Sequence, residues 1–501
     1  MITATYKGKR YEVEYSVVNV SELEGALRLD AEYYEPYYLR NEEKIKLKRW
    51  TYLNDDEFFI RRGTQPLYKE EETGFYALNS VCILDGDIDF SNSKFVSKEF
   101  YMKNIDSAFK FKDVLVNSTG VGTLGRVAIV LYKDKEGLVD NHVTRIRLNR
   151  LVSLLPEYIF SFLRSLYGQS QIERLYHGSS GQIEIYANDF KQIKIPILSD
   201  AFQKQIQNLV LQSYDEKEKS VSLYKKAEDT LLEELGLKDW KPKTKKIFVG
   251  GKEYEEEENI SIRSLSEVLK ADRMDAEYWQ PKYEDILKTV LLKYDLLPIK
   301  SIFDFRRGVF ISTDYYTEEK TNRPYVRIKE LTGRIGINED EVIYISDAYQ
   351  EDVADRLREN DLVIAIIGDT IGKTNRVYEE LAGGFCSNNT GRLRIRADAK
   401  GKIIPEYAEI LFQSIIVQNQ IEKKKAQTGQ PKISDGEMKS IFIPLLPLEI
   451  QQKIASLVQQ SHEARKKSKE LLEIAKRAVE IAIEKNEEEA LSYISKTENK
   501  Q

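Results

Sequence analysis

Two cysteines and three histidines in 501 residues leave little for redox or metal chemistry. Cys82 and Cys386 stand one in each half of the chain and cannot build a disulfide framework, which points to a reducing, cytoplasmic setting. His142, His177 and His462 are too scattered in sequence to suggest a zinc site. No apolar run approaches the roughly 18–20 residues that span a bilayer. The opening Met1-Ile2-Thr3-Ala4-Thr5-Tyr6-Lys7 has neither the charged head nor the apolar stretch of a secretory leader. Strong positive charge is missing too. The formal net charge of −6 argues against a protein that coats nucleic acid indiscriminately, while local clusters such as Arg145-Ile146-Arg147 and Arg392-Leu393-Arg394-Ile395-Arg396 leave room for specific contacts. What remains, 41% hydrophobic and 32% charged residues with 30 tyrosines, is the composition of a water-soluble chain rich in exposed helix and long enough for two or more cores.

The chain states most of its features twice. Arg28-Leu29-Asp30-Ala31-Glu32-Tyr33-Tyr34-Glu35-Pro36 returns as Arg273-Met274-Asp275-Ala276-Glu277-Tyr278-Trp279-Gln280-Pro281, 245 positions later. Arg61-Arg62-Gly63 returns as Arg306-Arg307-Gly308, Pro156-Glu157-Tyr158 as Pro405-Glu406-Tyr407, Gly181-Gln182 as Gly429-Gln430, and Ile195-Pro196 as Ile443-Pro444. A period this long is a duplicated domain with its connector, since solenoid repeats run about 20–50 residues.

Each half has one order of elements. A short hairpin is expected first, at Met1–Tyr15 and Phe248–Glu258, from glycines set between aromatic and β-branched residues. The Asp-Ala-Glu-Tyr segment reads as a helix, followed by about 150 residues of mixed structure. Val114-Leu115-Val116 and Leu362–Ile367 read as buried strands ending at glycine turns. Pro156–Leu166 and Pro405–Ile416 read as amphipathic helices with proline in the first turn. A long helix closes each half. In the second, Ile454, Leu457, Ser461, Ala464, Ser468, Leu471, Ala475, Ala478 and Ala482 alternate spacings of three and four, a coiled-coil seam. Ile206, Leu209, Ser213, Ser220, Leu223 and Ala227 repeat it less cleanly. The small seam residues predict close, antiparallel packing. At 1.5 Å per residue, Ala201–Leu235 spans about 50 Å and Leu448–Ala490 about 65 Å; a solvated surface helix is the plainer alternative. Residues from Ser492 read as a frayed tail.

This ordered, duplicated set of motifs resembles the specificity subunit of type I restriction–modification systems, over roughly Val18 to Ala490. The resemblance implies an α+β chain with a pseudo-two-fold repeat, in which two similar mixed α/β target recognition domains are separated by a pair of long antiparallel coiled-coil helices. The expected divisions are 1–49 (hairpin and Asp-Ala-Glu-Tyr segment), 50–199 (first recognition domain), 200–236 (central helix), 237–298 (linker, second hairpin and second Asp-Ala-Glu-Tyr segment), 299–446 (second recognition domain), 447–491 (distal helix) and 492–501 (tail). It also implies double-stranded DNA as ligand, two adenine-N6 methyltransferase (modification) subunits docked on the helices, and restriction/translocase subunits as further partners. No cofactor is expected in this chain, S-adenosylmethionine and ATP with magnesium belonging to the partners, and no membrane contact is expected. The hairpins are a departure from the shorter family members.

Candidate DNA-binding positions fall at matching places in the two halves. Asn141, His142 and Arg145 correspond to Asn388, Asn389 and Arg392; amides can pair with adenine edges and arginine with guanine edges, or the Asn can turn a loop while the Arg pairs with an acid such as Asp140. Arg61, Arg62, Arg306 and Arg307 can hold phosphates and set register, or be solvated charges. The turn after the buried strand presents Thr123 and Arg126, or Thr370 and Lys373, towards DNA on the family reading; its glycines alone satisfy a tight turn. Ser179, Ser180 and Gln182, with Gln430 and Lys432, lie in flexible polar loops where recognition tends to sit.

Catalytic motifs are poorly represented. Gly368-Asp369-Thr370-Ile371-Gly372-Lys373-Thr374 misses the phosphate-binding loop by one residue between its glycines, and Gly120–Arg126 has the spacing but no Lys-Ser/Thr. No Asn/Asp-Pro-Pro-aromatic motif of adenine methyltransferases occurs. Asp30, Glu32, Asp275 and Glu277 read as structural. With these motifs missing, the resemblance implies a non-catalytic, DNA-reading subunit. The competing readings are a coiled-coil scaffold whose twin domains bind protein or glycan, and an ATP-hydrolysing enzyme resting on the near-miss loop.

Overall fold

The computed structural model describes Ile2 to Glu498 apart from residues 7–8, 22, 24–27, 55–56, 150–152, 179–182, 250–251, 258–259, 318 and 427–428. The chain divides into two compact units, Met1–Glu216 with Lys467–Gln501, and Lys217–Lys466. Both long helices, Asp200–Leu235 and Leu448–Glu484, cross this division, so each unit holds one mixed domain and a segment of each helix.

In the first unit a four-stranded antiparallel sheet runs in the order Val127–Ile129, Val114–Asn117, Val143–Leu148, Phe58–Arg62. A second sheet orders Glu136–Val139, Phe75–Leu78, Lys94–Val96 and Tyr68–Lys69, its first pair parallel. Val114-Leu115-Val116 is buried on both faces, which is why that strand reads as an unbroken apolar run rather than an alternation. Where the chain enters and leaves the domain, Trp50–Tyr52 pairs antiparallel with Lys194–Pro196. Helix Pro156–Arg164 starts on its proline, as expected of a residue with no N–H to lose there. Its polar face is enclosed as well. Every residue from Glu157 to Arg164 is buried, and Glu157 lies 2.7 Å from Lys112 Nζ. The helix also ends earlier than expected. Ser165 turns out of the α region, and its side chain accepts from Gly168 N to start the next helix, Leu166–Leu175.

The second unit repeats this plan. Its sheets run Phe303–Arg307, Thr390–Ile395, Leu362–Ala365, Thr374–Arg376 and Tyr316–Thr317, Ile343–Ile345, Pro324–Val326, Phe385–Cys386. Leu296–Pro298 pairs with Phe442–Pro444, and helices Pro405–Gln413 and Ile415–Lys424 break at Ser414.

The long helices pack as the seam predicts. In the first unit Ser213 Oγ donates to Ser468 O at 2.8 Å and Ser199 N to Glu487 at 2.9 Å, so the partner number falls as the residue number rises: the segments are antiparallel. In the second unit Ser461 Oγ donates to Ser220 O at 2.7 Å. Ile206, Leu209, Ala227, Ile454, Ala464, Leu471, Ala475, Ala478 and Ala482 are all buried. The distal helix is shorter than expected and the tail is not frayed. Asn486 breaks the helix by accepting from Glu489 N at 2.9 Å, an N-cap for a further helix, Glu487–Glu498. Ala490 and Ile494 on that helix are buried in the first unit's core.

The Asp-Ala-Glu-Tyr segments are turns rather than helices. In the first, Ala31–Tyr34 is one 3-10 turn, and the α-helix begins at Pro36; in the second, residues 276–279 form a turn before helix Pro281–Leu291. The cause is the proline, which pushes the residue before it out of the helical region: Glu35 and Gln280 have ψ 137° and 133°. The two aspartates are structural, as read. Asp30 and Asp275 pair with Arg28 and Arg273 through both oxygens, at 2.5–2.6 Å. Each guanidinium lies over a tyrosine of its own motif, Tyr33 at 5.0 Å and Tyr278 at 4.7 Å. The hairpins form, at Ile2–Tyr6 with Lys9–Val13 and at Thr244–Val249 with Lys252–Glu257; their turn residues Gly8, Gly250 and Gly251 lie outside the described residues.

Candidate functional site

At one end of the first unit's four-stranded sheet four segments meet. Strand Phe58–Arg62 runs into Gly63, whose N–H donates to Val143 O at 3.2 Å, and Thr64 N donates to Val139 O at 3.2 Å. Ser118 N donates to His142 O at 2.8 Å, Gly120 N to Ile183 O at 3.1 Å and Ile185 N to Ser118 O at 3.0 Å. The stretches around 61–64, 118–126, 140–143 and 183–186 therefore form one rim, built by backbone hydrogen bonds across distant sequence. The turn in it needs glycine: Gly120, Gly122 and Gly125 all have positive φ. Gln169 fastens the turn from behind, donating to Gly125 O at 2.9 Å and to Leu163 O at 2.7 Å.

Four sequence-predicted side chains on this rim are engaged within it. Arg62 donates to Ile185 O at 2.7 Å, pairs with Glu184 at 3.2 Å and lies over the Tyr186 ring at 5.2 Å, clamping the loop rather than facing outward. Hydrogen bonding from Tyr186, and from Arg62, holds the Glu184 carboxyl below its ordinary range. Thr123 Oγ1 donates to Thr119 O at 3.1 Å. Arg126 donates to Gly122 O at 3.3 Å, and His142 Nδ1 meets Thr119 Oγ1 at 2.9 Å. Arg61 is exposed and stacked over Phe59 at 4.5 Å. Asn141 is half-buried, with its Oδ1 lacking a hydrogen-bond partner among the described residues. Ser179, Ser180 and Gln182 lie outside the described residues.

Arg145 is not part of this surface. It is 1% exposed, donates to the carbonyl oxygens of Ala108 and Asp106, and has Asp113, not Asp140, as its nearest acid at 3.8 Å. Burial pulls its guanidinium pKa down to about 10. Asp140 instead accepts from His142 N at 2.8 Å. Arg392 is likewise 5% exposed, bonded to Ala354 O at 3.1 Å and Asp304 at 3.0 Å. Base readout by either is excluded by burial; both hold a strand to the loop packed over it.

The second unit builds the same rim with different side chains. Gly308 N donates to Thr390 O at 3.0 Å, Ile366 N to Asn389 O at 3.1 Å, Gly368 N to Pro431 O at 2.8 Å and Ile433 N to Ile366 O at 3.1 Å. Gly368 and Gly372 have positive φ, and Gln418 fastens Gly372 O at 2.9 Å as Gln169 does in the first unit. The turn leads into strand Thr374–Arg376. A phosphate-binding loop opens a helix, so the nucleotide-hydrolase reading loses its only motif. Arg306 pairs with Asp352 at 3.0 Å and Asp355 at 2.7 Å, and Arg307 pairs with Asp435. Lys373, Asn388, Asn389, Gln430 and Lys432 are exposed on the rim, and Thr370 is half-buried.

Sequence reasoning missed a neighbouring loop. Thr332, Gly333 and Arg334 line one side of a groove of about 310 Å³ whose other side is Asp369, Thr370, Lys373, Gln413 and Gln418. Buried Asn375 organises that loop, accepting from Thr332 N at 2.9 Å and donating to Arg334 O at 2.8 Å. A Thr-Gly-Arg turn was the available signal, but its approach to Lys373 is set by tertiary packing.

A family model described as the type I restriction modification DNA specificity domain matches residues 51–221 and again 293–476. Among solved structures, the S subunit of a type I restriction–modification system from M. genitalium is 16% identical with a TM-score of 0.38, covering 86% of this chain and 95% of that one. The HsdS subunit from Thermoanaerobacter tengcongensis is 15% identical with a TM-score of 0.27, covering 86% and 97%. No curated protein matches the chain.

Proposed function

Because the chain belongs to the type I restriction–modification DNA specificity family, and is thus a sequence-reading DNA subunit without catalysis of its own, we propose that each rim reads one half of a split DNA site. The observation that carries this is the rim itself. One backbone scaffold of four stretches is built twice, yet it presents Arg61 and Asn141 in one unit and Lys373, Asn388, Asn389 and Lys432 in the other. A common scaffold with different polar tips suits two reading heads for two short sequences.

On this reading Asn388 and Asn389 supply amides for adenine edges, and Arg61, Lys373 and Lys432 hold phosphates and fix register. Arg62, Arg306 and Arg307 act indirectly, by holding the loops that carry the contacts. Two adenine-N6 methyltransferase subunits bring S-adenosylmethionine, and a restriction/translocase partner brings ATP and magnesium. The scaffold alternative, with protein or glycan as ligand, has no support in the family assignment. Exchanging Leu53–Pro196 for the matching segment of another family member tests the division of labour. One half of the methylated motif should change; a change in both halves, or in neither, would overturn it.

A further inference from the structure

One carboxylate stands among the cations of the second unit's groove with nothing to hold. Asp369 follows Gly368 in the rim turn and lines the groove across from Arg334, as Lys373 does. All three are exposed, and their side chains make no hydrogen bond or ion pair among the described residues. Their backbones are fixed nonetheless. Gly368 N donates to Pro431 O at 2.8 Å and Lys373 N to Thr370 O at 3.0 Å. Gln413 Nε2 and Asn375 Nδ2 both donate to Arg334 O, at 3.1 and 2.8 Å. Lys373 also lies against Gly333, where a Cβ would come within 3.1 Å of its Cγ. Three charged side chains on a rigid frame, all left free, are arranged to meet something from outside.

The fold does not need the acid. Elsewhere in the chain, loop aspartates close their own turns: Asp89, Asp140 and Asp352 accept from the N–H two residues on, at 2.8–2.9 Å. Asp369 does not; Ile371 N donates instead to Gly368 O at 3.1 Å. In the first unit's turn the residue after the opening glycine is Val121, 64% exposed, so the position tolerates an uncharged side chain. Nor does a carboxylate suit a surface that only holds DNA, because it repels phosphates. It serves there by turning away sequences that offer it no donor.

We infer that Asp369 reads a cytosine in the second unit's half-site, accepting a hydrogen bond from the exocyclic N4 amine, while Arg334 joins Lys373 in holding flanking phosphates. This deepens the proposed function by naming a base, and stands only with it. In the major groove a carboxylate finds donors on cytosine N4 and adenine N6 alone. Adenine carries the N7 acceptor beside its amine, and guanine and thymine present acceptors, all of which repel a carboxylate. Cytosine offers a donor with no acceptor of its own next to it. Arg334 and Lys373 supply the positive charge that draws the backbone in and offsets the acid's repulsion.

The test maps N6-methyladenine for wild type, Asp369→Val and Arg334→Ala, each full chain co-expressed with the methyltransferase. Valine is chosen because the first unit's turn carries it. The second unit's half-site is the one left unchanged when Leu53–Pro196 is exchanged. Within it, wild type should demand a C·G pair at one position that Asp369→Val leaves open to other pairs, with the other half-site unaltered. Filter binding to duplexes carrying each pair at that position should show a preference for C·G of about 5- to 150-fold in wild type and under about twofold in Asp369→Val. Arg334→Ala should keep the motif and lower the salt slope by about one. A motif unchanged by Asp369→Val, a second half-site without a C·G pair, or loss of binding to every duplex by Asp369→Val would overturn the inference and leave the two reading heads standing. Wild type with no split motif would overturn the proposed function, and this inference with it.

Discussion

Alanine at Gly63 should cost far more than alanine at any solvent-facing glycine, because backbone and not a side chain occupies the space. A Cβ on Gly63 would lie 1.8 Å from Val139 O and 2.5 Å from Asp140 O. Both belong to the rim, and Val139 O already accepts from Thr64 N, so relief means breaking that bond and moving a strand end. Overpacking a close-fitted site costs about 1–3 kcal/mol, and the absence of any flexible neighbour puts Gly63→Ala at or above about 3 kcal/mol on that scale. For a unit of this size each kcal/mol moves the melting point by about 2–4 °C, so a fall of at least about 6 °C is expected. Gly74 is the control. It has φ +82° with nothing within 4 Å of the Cβ position, so alanine there costs only backbone strain, about 1–2 kcal/mol. Gly308, whose Cβ would meet Cys386 O at 2.2 Å and Ser387 O at 2.3 Å, should behave as Gly63. Gly429, in open space with no positive φ, should lose less than about 0.5 kcal/mol. Scanning calorimetry of the four variants checks the order. Gly63→Ala melting no lower than Gly74→Ala would refute the close-approach argument.

Arg61→Ala should weaken DNA binding and lower the salt slope by about one, whereas Arg145→Ala should lower the melting point instead; filter binding across a salt series, beside calorimetry, separates them. Ile494→Ala, deep in the first unit's core, should cost about 2–5 kcal/mol in urea unfolding; a change within error would return the last helix to the status of a tail. The second unit should lose stability between pH 6.5 and 8. Burial pushes fully enclosed Glu409 up to about 7 despite Arg376 at 3.0 Å, so its contribution is full below the ordinary glutamate value and lost as pH rises through 7. Burial lowers His462 to about 3, so its contribution is complete above 6.5 and lost only towards pH 3. Glu409→Gln should flatten the decline from pH 6.5 to 8 in a thermal melt; an unchanged slope would reject the assignment.

The repeat, the buried strands, the proline-initiated helices and the serine-and-alanine seam were legible in the sequence because each is a local periodicity or a fixed offset. The turns at Asp30 and Asp275 were legible in principle, since the proline six residues after each aspartate breaks a helix started there; the tyrosine-rich pattern outweighed that signal. What sequence could not give was partnership across distance. Arg145 and Arg147 alternate along their strand like surface cations, and only the fold brings Asp113 and the carbonyls of Asp106 and Ala108 against them. The same holds for Arg62, whose partner Glu184 is 122 residues away. Arginine–glycine motifs at Gly63 and Gly308 looked like charge motifs; the glycine is the constrained residue, and Arg62 in the first and both arginines in the second are engaged with acids of neighbouring loops.

The central claim is that one chain carries two reading heads for one split site. Mapping N6-methyladenine in a methylation-free host that co-expresses this chain with its methyltransferase tests it most directly. Two short, different half-sites about a gap of fixed length are expected, appearing only when the chain is present. A contiguous motif, unpatterned methylation, or the same motif without the chain would contradict it.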